Sequence, residues 1–264
     1  MPELPEVEIM TRNVRQWCAG RRIAQATVLD PRLGIDLSGL TGKTIGAAWR
    51  RGKYLCLPVG EEVIILHFRM TGKAVVEADG PRKHARLRLQ TDAGPPIAMV
   101  DTRRLGCAWR LPAGEVAAFF DAVPLGPEPW PEARPGSWWR ARLDGLRGAI
   151  KGGLMRQDRV AGLGNIAASE ICFRARIDPR SPTPTLSGQD WAAIAAAVPV
   201  FVAHVLAEEA GPEIAYINEG RDTPNPFLVY ARAGQPCARC AGGHIQRFVQ
   251  AGRATFWCQR CQAP

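Results

Sequence analysis

Two cysteine pairs lie near the C-terminus of the chain, Cys237-Ala238-Arg239-Cys240 and Cys258-Gln259-Arg260-Cys261, with seventeen residues between them. Pairs of this C-x-x-C type at such a separation supply the four thiolate ligands of a closed, tetrahedral structural zinc site. A disulfide within either pair would close a small, strained loop, so a metal explains the spacing better. We therefore predict that one structural Zn²⁺ is bound by Cys237, Cys240, Cys258 and Cys261.

The segment between the cysteine pairs predicts a β-hairpin with the metal at its base, because Gly242-Gly243 is followed by an alternating pattern around Ile245, Phe248 and Phe256. The last 34 residues contain five arginines and no Asp or Glu. A zinc ion with four thiolates carries a net charge of about −2, which is smaller in magnitude than the positive charge of the five arginines. We expect this finger to offer cations to a polyanion; a zinc ribbon that only closes the fold is the alternative.

The composition of the whole chain also favours a nucleic-acid partner. It has 264 residues, a formal net charge of +9 and a pI near 9.5, and most of its cations are arginines, which suit bidentate phosphate contacts. No uninterrupted apolar run reaches about 18 residues, so we expect no membrane span. The acidic, proline-containing start is unlike a signal peptide. The remaining cysteines are expected to be buried thiols in a reducing cytoplasm: Cys18, Cys56, Cys107 and Cys172.

Hydrophobic periodicity predicts an α+β, multidomain chain. Residues 6–19 have helical spacing, and the region that follows alternates as in an antiparallel β-sandwich or barrel with one flanking helix. Six strands are predicted there: Ala24–Asp30, Ile45–Val59, Val63–Arg69, Ala85–Thr91, Ile97–Thr102 and Cys107–Leu111.

A proline-rich stretch, Leu125–Ser137, is the best candidate for a domain boundary. Helical periodicity returns in Trp138–Ala175 and Gly188–Glu209. We therefore predict a β-sandwich domain at 1–125, a hinge at 126–137, a helical domain at 138–226 and the zinc finger at 227–264. A cation-lined cleft between two domains would suit a duplex.

The second residue, Pro2, is a candidate nucleophile. A proline after Met1 favours removal of the methionine, which would expose a secondary amine that titrates near ~8 rather than the ~10.4 of lysine. Attack of this amine on an aldehyde-level carbon gives an iminium ion, an electron sink that favours elimination. Glu3 is positioned in sequence to donate or accept the protons that this chemistry needs. Alternatively, Pro2 and Glu3 only shape the start of the first helix.

Several motifs in order give these residues a context. Besides the zinc finger, these motifs are Pro2–Glu8, Arg50–Leu55, His67–Gly72, Asp101–Gly106, Leu125–Pro129, Ile150–Lys151 and Ala161–Ile166. In these segments, which extend over nearly its full length, the chain resembles the formamidopyrimidine-DNA glycosylases of the Fpg/Nei superfamily, and Leu4 favours the Fpg branch.

The resemblance implies a two-layer β-sandwich, a helix–two-turn–helix domain, a zinc finger, and combined glycosylase and abasic-site lyase activity on damaged double-stranded DNA by a monomer. It implies that Pro2 is the nucleophile, that Glu3 is the acid–base residue and that Lys53 reaches the phosphate and the lesion. A flipped nucleotide leaves a hole in the duplex that must be filled. By resemblance, the residues that fill this hole or bind the DNA backbone are Met70, Arg103, Arg104, Leu105, Lys151, Asn165 and Arg253.

Local patterns leave other interpretations open. Met70 alone suits a core, Arg103-Arg104 a solvated face, and the Gly162–Asn165 turn a purely structural one in which Asn165 caps the next helix. Leu105 stands where the family commonly has Phe, Arg69 replaces a small residue, and Ala167 replaces an aromatic one. The segment Ala215–Phe227, where the family has a lesion-covering loop, is short and divergent.

The expected substrate is an oxidised purine, 8-oxoguanine or a formamidopyrimidine. The rivals are the same chemistry on oxidised pyrimidines or bulky adducts and cross-links, a non-catalytic damaged-DNA-binding protein of the same fold, and a zinc-ribbon RNA-binding protein.

Overall fold

A computed structural model describes residues 2–217 and 224–263 of the chain. The first helix, α1, spans Leu4–Cys18. It begins where Glu3 and Glu6 form a capping box and Pro5 occupies the first turn, two features that favour a helix start. Leu4, Val7 and further apolar residues at helical spacing form its buried face. The predicted helix is confirmed, with a start two residues earlier than the periodicity indicated.

Two antiparallel four-stranded sheets follow α1 in the described residues, in the orders β1-β6-β7-β5 and β2-β3-β4-β8. This confirms the predicted antiparallel β-rich domain. The strands are β1 Ile23–Val28, β2 Trp49–Arg51, β3 Tyr54–Val59, β4 Glu62–His67, β5 Lys73–Val76, β6 Ala85–Thr91, β7 Ile97–Val100 and β8 Cys107–Pro112.

Two details of the β region differ from the sequence prediction. The single strand predicted at Ile45–Val59 is a short hairpin, because Gly52 adopts a left-handed φ of 55° and turns the chain between β2 and β3. The strand β5 was not predicted. It has only four residues, and it owes its strand conformation to antiparallel pairing with β7. A short helix, α2 (Val116–Ala122), ends the region.

After α2, the described residues contain four further α-helices, followed by the zinc-finger hairpin. The helices are α3 Gly136–Leu143, α4 Ile150–Leu154, α5 Asn165–Ala175 and α6 Gly188–Glu208, and the hairpin strands are β9 Ile245–Gln250 and β10 Arg253–Cys258. The helical periodicity of Trp138–Ala175 is therefore divided among three helices. The predicted hairpin between the cysteine pairs is confirmed.

Helix α6 is long and apolar enough to suit a membrane span, although no uninterrupted apolar run drew attention to it. Its buried residues recur at helical spacing, from Trp191 and Ile194 to Val198 and Val205, and it packs against α3 and α5. This is how a core helix behaves, and core helices commonly share the composition of membrane spans.

Contacts divide the chain into two compact units. The first runs to Val123 and includes a segment that begins at Glu209; the second runs from Pro124 to Glu208 and includes the zinc finger. The returning segment is tied to the first unit, because Glu213 pairs with Lys73 at 2.8 Å and the Tyr216 hydroxyl donates to Gly72 O at 2.7 Å. The predicted domain limits stay a prediction. The middle of the divergent segment at 215–227, residues 218–223, lies outside the described residues.

The cysteines outside the finger are mostly buried, as expected. Cys18, Cys56 and Cys172 are fully enclosed, and burial raises the pKa of Cys18 to about 11 and that of Cys172 to about 12. Cys107 is only half-buried, because it begins β8 at the edge of its sheet.

Candidate active site and nucleic-acid interface

Pro2 and Glu3 are buried at the start of α1. The backbone N–H of Glu3 donates to Oε2 of Glu6 at 2.7 Å. Burial, together with the nearby Glu3 carboxylate, raises the pKa of Glu6 to about 7. Burial and the charge of Glu6 likewise raise the pKa of Glu209 to about 8. Residue 2 is therefore followed by carboxyl groups that hold protons near neutral pH, as proton-transfer chemistry requires.

The turn that carries Lys53 is held against α1. Arg50 donates to the carbonyl of Gly52 at 2.9 Å and pairs with Glu8 of α1 at 3.2 Å, so one buried guanidinium joins the helix to the β2–β3 turn. Lys53 itself is 8% exposed. Burial, followed by the charges of Arg69 and Lys53, lowers the pKa of His67 to about 4. Lys53 precedes Tyr54, which pairs with His67 at the end of β4.

Strand register brings three predicted residues close to one end of a sheet, where three neighbouring strands begin or finish. Tyr54 pairs with His67, and His67 pairs with Cys107, so the ends of β3, β4 and β8 are level. The adjoining turns and loops contain Lys53, Met70 and Leu105.

Two of these segments are loops that cross from one sheet to the other. The first, residues 68–72, connects β4 to β5; the second, residues 101–106, connects β7 to β8. We call them the Met70 loop and the Arg103 loop. Met70 is 40% exposed and Leu105 is 45% exposed, so the interpretation of Met70 as a core residue is wrong. Exposed apolar side chains on rigid loops are suited to insertion between bases.

The arginines of these loops have defined surroundings. Arg103 and Arg104 are both exposed, and Arg104 adopts a left-handed φ of 55° while its guanidinium lies 3.6 Å from the Asp30 carboxylate. Arg69, with φ of 56°, donates its N–H to Nδ1 of His67 at 3.2 Å. Neutral His67 therefore carries its proton on Nε2.

In the second unit, two further predicted residues, Lys151 and Asn165, are in contact. Nζ of Lys151 donates to Oδ1 of Asn165 at 2.6 Å, and Nδ2 of Asn165 donates to the carbonyl of Ala254 at 2.9 Å. The amide of Asn165 thus joins α4, α5 and the hairpin beside Arg253. The alternative in which Asn165 caps α5 is wrong: Gly164 occupies the N-cap of α5, and Asn165 is the first helical residue, with its side chain bonded to Lys151 and Ala254. Lys151 is only 1% exposed.

Arg253 lies at the tip of the zinc hairpin. It pairs with Gln250 across a two-residue turn in which Ala251 has φ of 47° and Gly252 has φ of 73°. Two left-handed central residues are the mark of a type I′ turn, which suits the twist of a tight hairpin. The side chain of Arg253 is exposed at this turn and is available to an anion.

The four cysteines of the finger form a cluster that fits zinc. Their sulfur atoms all lie within 4.8 Å of one another, with 3.7 Å between Cys237 and Cys261 and 3.8 Å between Cys240 and Cys258. Zinc–sulfur bonds of about 2.3 Å in a tetrahedron put the sulfurs about 3.8 Å apart. Gly243 packs against this cluster so closely that a Cβ there would lie 2.6 Å from Cys240 Sγ. One structural Zn²⁺ is therefore held by these four thiolates, as predicted.

Sequence reasoning missed two buried acids. Glu170 of α5 is fully buried, accepts the backbone N–H groups of Val229 and Tyr230 at 2.8 and 3.0 Å, and pairs with Arg174. It thereby anchors the segment that leads into the zinc finger. The signal was available, because a lone Glu inside an apolar helix must have a partner. The second acid, Asp101, lies between the two exposed loops and is described below.

Family models match three parts of the chain. The formamidopyrimidine-DNA glycosylase N-terminal domain matches residues 1–108, the formamidopyrimidine-DNA glycosylase H2TH domain matches residues 125–211, and the zinc finger found in FPG and IleRS matches residues 234–264.

Full-length relatives give the same result. A formamidopyrimidine-DNA glycosylase of Gluconobacter oxydans is 36% identical over 99% of this chain and 100% of its own length. The structure of the Lactococcus lactis FPG mutant G226P with DNA containing Fapy-dG matches with a TM-score of 0.87 at 31% identity, covering 100% of both chains. The wild-type L. lactis protein with DNA containing an oxidised pyrimidine matches with the same TM-score, identity and coverage. The chain therefore belongs to the formamidopyrimidine-DNA glycosylase family and is a DNA-repair glycosylase.

Proposed function

We propose that this protein excises oxidised purines, 8-oxoguanine or formamidopyrimidines, from duplex DNA and then cleaves the strand at the abasic site. The observation that carries the proposal is Pro2 at the start of α1, followed by Glu3 and the buried carboxyl group of Glu6. In a chain of this family, a terminal secondary amine followed by two buried glutamates supports covalent catalysis at a sugar carbon. The protein would act as a monomer in the bacterial cytoplasm.

The first chemical step joins enzyme and DNA. With Met1 removed, the Pro2 nitrogen attacks C1′ of the flipped nucleotide, and the C1′–N bond to the damaged base breaks. The base leaves with the bonding pair and takes up a proton. Glu3 protonates the sugar ring oxygen as the ring opens, so that the positive charge remains on the Pro2–C1′ iminium.

The iminium then drives strand cleavage. It withdraws electrons from C2′, whose proton passes to a carboxylate base as the 3′ C–O bond breaks and the 3′ phosphate leaves; a second elimination, in which C4′ loses a proton, breaks the 5′ C–O bond and releases the 5′ phosphate. Water hydrolyses the remaining iminium and frees the amine. The pKa values of Glu6 and Glu209, raised to about 7 and about 8, support their taking up and releasing protons near neutral pH.

The remaining predicted residues bind and distort the DNA in this proposal. Lys53 contacts the phosphate beside the lesion, Met70 fills the vacated space, and Arg103 binds the orphaned base while Leu105 stacks beside it. The backbone-binding residues are Arg104, Lys151, Asn165 and Arg253. Because Lys151 is buried against Asn165, it would act mainly by orienting that amide. Zinc supplies rigidity to the hairpin and takes no part in the reaction.

The lesion is the least constrained part of the proposal. An aliphatic Leu105, 45% exposed, provides less stacking than an aromatic side chain beside the orphaned base. An L. lactis relative has been crystallised with an oxidised pyrimidine in its DNA. Oxidised pyrimidines are therefore the second candidate substrate, and excision from a panel of single-lesion duplexes distinguishes the two.

Reduction with borohydride tests the enzymatic role. Demethionylated protein mixed with an abasic-site duplex should give a covalent adduct, and Pro2→Gly, which keeps an amine but not a secondary one, should give it more slowly. Absence of any adduct from the demethionylated protein would instead indicate a damage-binding protein without catalysis.

A further inference from the structure

The Met70 loop and the Arg103 loop share one buried carboxylate. Asp101 is 0% exposed. Its Oδ1 accepts the hydroxyl of Thr71 at 2.6 Å, and its Oδ2 accepts the N–H of Gly106 at 2.7 Å. The bond to Thr71 crosses from one loop to the other, whereas the bond to Gly106 closes the Arg103 loop on itself.

A second contact fixes Arg103 at the same point. Its backbone N–H lies 3.2 Å from Oδ1 of Asp101 and also 3.2 Å from the hydroxyl oxygen of Thr71. The residue proposed to read the orphaned base is thus attached to the neighbour of Met70. The two contacts make the Thr71 hydroxyl the bridge between the loops.

The buried guanidinium of Arg86 holds Asp101 in place. The guanidinium of Arg86, 2% exposed, lies 3.7 Å from Asp101 and 3.2 Å from Asp30, and it donates to the carbonyl of Gly106 at 2.6 Å. Asp30 in turn faces Arg104. A buried charge network that is fully paired resists displacement, because moving any member leaves an unpaired charge.

The backbone has little room to compensate. A Cβ on Gly106 would lie 3.2 Å from Asp101 Oδ2, and one on Gly72 would lie 2.5 Å from the carbonyl of Phe68. The loop ends are therefore close-packed, so the exposed tips depend on the shared carboxylate for their relative position.

We propose that Asp101 and Thr71 are positioning residues which make the two loops enter DNA as one unit, so that filling the vacated space is coupled to reading the opposite base. This inference rests on the proposed damage-binding function, but it concerns recognition and not the covalent step. Breaking the bridge lets Met70 fill the gap while Arg103 samples other positions, so selectivity for the opposite base falls more than affinity.

The test uses the full-length zinc-loaded protein and duplexes that contain tetrahydrofuran, a stable abasic analogue, opposite each of the four bases. Thr71→Val removes the bridging hydroxyl with little change of shape, whereas Thr71→Ser keeps a hydroxyl at the same position. Thr185→Val is the matched control, because its hydroxyl donates to the nearby Pro182 O at 2.8 Å, in the second unit and away from both loops in the sequence. Loss of a hydrogen bond to a charged group corresponds to about a tenfold change in a dissociation constant. We expect Thr71→Val to reduce the ratio of Kd values between the worst and best opposite base by about tenfold. Thr71→Ser and Thr185→Val should both keep the wild-type ratio.

The proposal is overturned if Thr71→Val keeps the wild-type ratio of Kd values, or if it lowers affinity equally for all four duplexes. A wild-type protein with no opposite-base selectivity would also overturn it. Asp101→Asn provides a second measurement and should lose at least as much selectivity, with folding checked by thermal unfolding. Failure of the covalent chemistry is seen separately, as absence of a borohydride adduct from wild-type protein, and leaves these binding ratios interpretable.

Discussion

Gly243→Ala tests the geometry of the zinc site directly. An added Cβ would lie 2.6 Å from Cys240 Sγ and 2.9 Å from Cys258 Sγ, whereas ordinary contacts begin at 3.4 Å. The backbone cannot easily withdraw, because the carbonyl of Gly243 accepts the N–H of Cys237 at 2.7 Å. The substitution therefore forces at least one sulfur to move.

The size of the effect follows from these distances. Relief of the closer contact requires a displacement of about 1 Å, while zinc–sulfur bonds tolerate only about 0.2 Å. One ligand is consequently distorted or lost. Changes in the support of a metal ligand cost about 10–100-fold in affinity, and we expect Gly243→Ala to lie at the upper end of that range.

Competition with a chromogenic chelator measures the zinc affinity. Gly188→Ala is the control, because a Cβ at this first residue of α6 has nothing within 4 Å. We expect wild-type affinity for Gly188→Ala and a loss of about 100-fold for Gly243→Ala. A loss below threefold in Gly243→Ala would refute the reasoning, since it would mean that the sulfur cluster adjusts freely.

Three further predictions concern stability and DNA binding. In the folded state the pKa values of Glu6 and Glu209 are raised to about 7 and about 8, so the folded protein binds more protons than the unfolded one above pH ~4.5. Its free energy of unfolding should therefore fall by a few kcal/mol between about pH 5 and pH 8 and then level off. Urea unfolding at several pH values measures this, and Glu209→Gln should flatten the curve; a stability that rises over this interval would contradict the assignment. Glu170→Gln should lower the free energy of unfolding by about 3 kcal/mol in the same assay, because it removes the buried charge that its partners require; a loss under 1 kcal/mol would count against the anchor. Arg253→Ala should weaken duplex binding and reduce the salt dependence of log Kd by about one phosphate contact, with Arg247→Ala on the exposed face of β9 as the comparison at a second finger arginine; a wild-type slope for Arg253→Ala would remove Arg253 from the interface.

Local patterns predicted the elements whose ends carry their own signals. The strand at Ala85–Thr91 was placed correctly because turn residues precede and follow it, and the zinc site followed from cysteine spacing alone. The division of Ile45–Val59 was missed because its turn consists of Gly52 and one charged residue, without the Asn or Asp that marks most hairpins. The strand β5 was missed for another reason, since its pairing partners lie more than 20 residues away.

The candidate site likewise has residues that the sequence predicted and contacts that it did not. Motifs named Pro2, Glu3 and Arg253 because chemistry is tied to residue type. They could not show that Asn165 reaches the hairpin, since a local rule assigned its side chain to its own helix. Nor could they show that Asp101 receives a hydroxyl from a loop thirty residues earlier. Networks of this kind depend on the folded chain, so only coordinates show them.

The central claim is that the secondary amine of Pro2 forms the bond to DNA. The most direct measurement is peptide mapping by mass spectrometry of the adduct trapped by borohydride on an abasic-site duplex. The account predicts that the sugar remnant is on the nitrogen of Pro2, in peptides that lack Met1. A remnant found on Lys53 or another lysine, or full strand cleavage by protein that retains Met1, would contradict it.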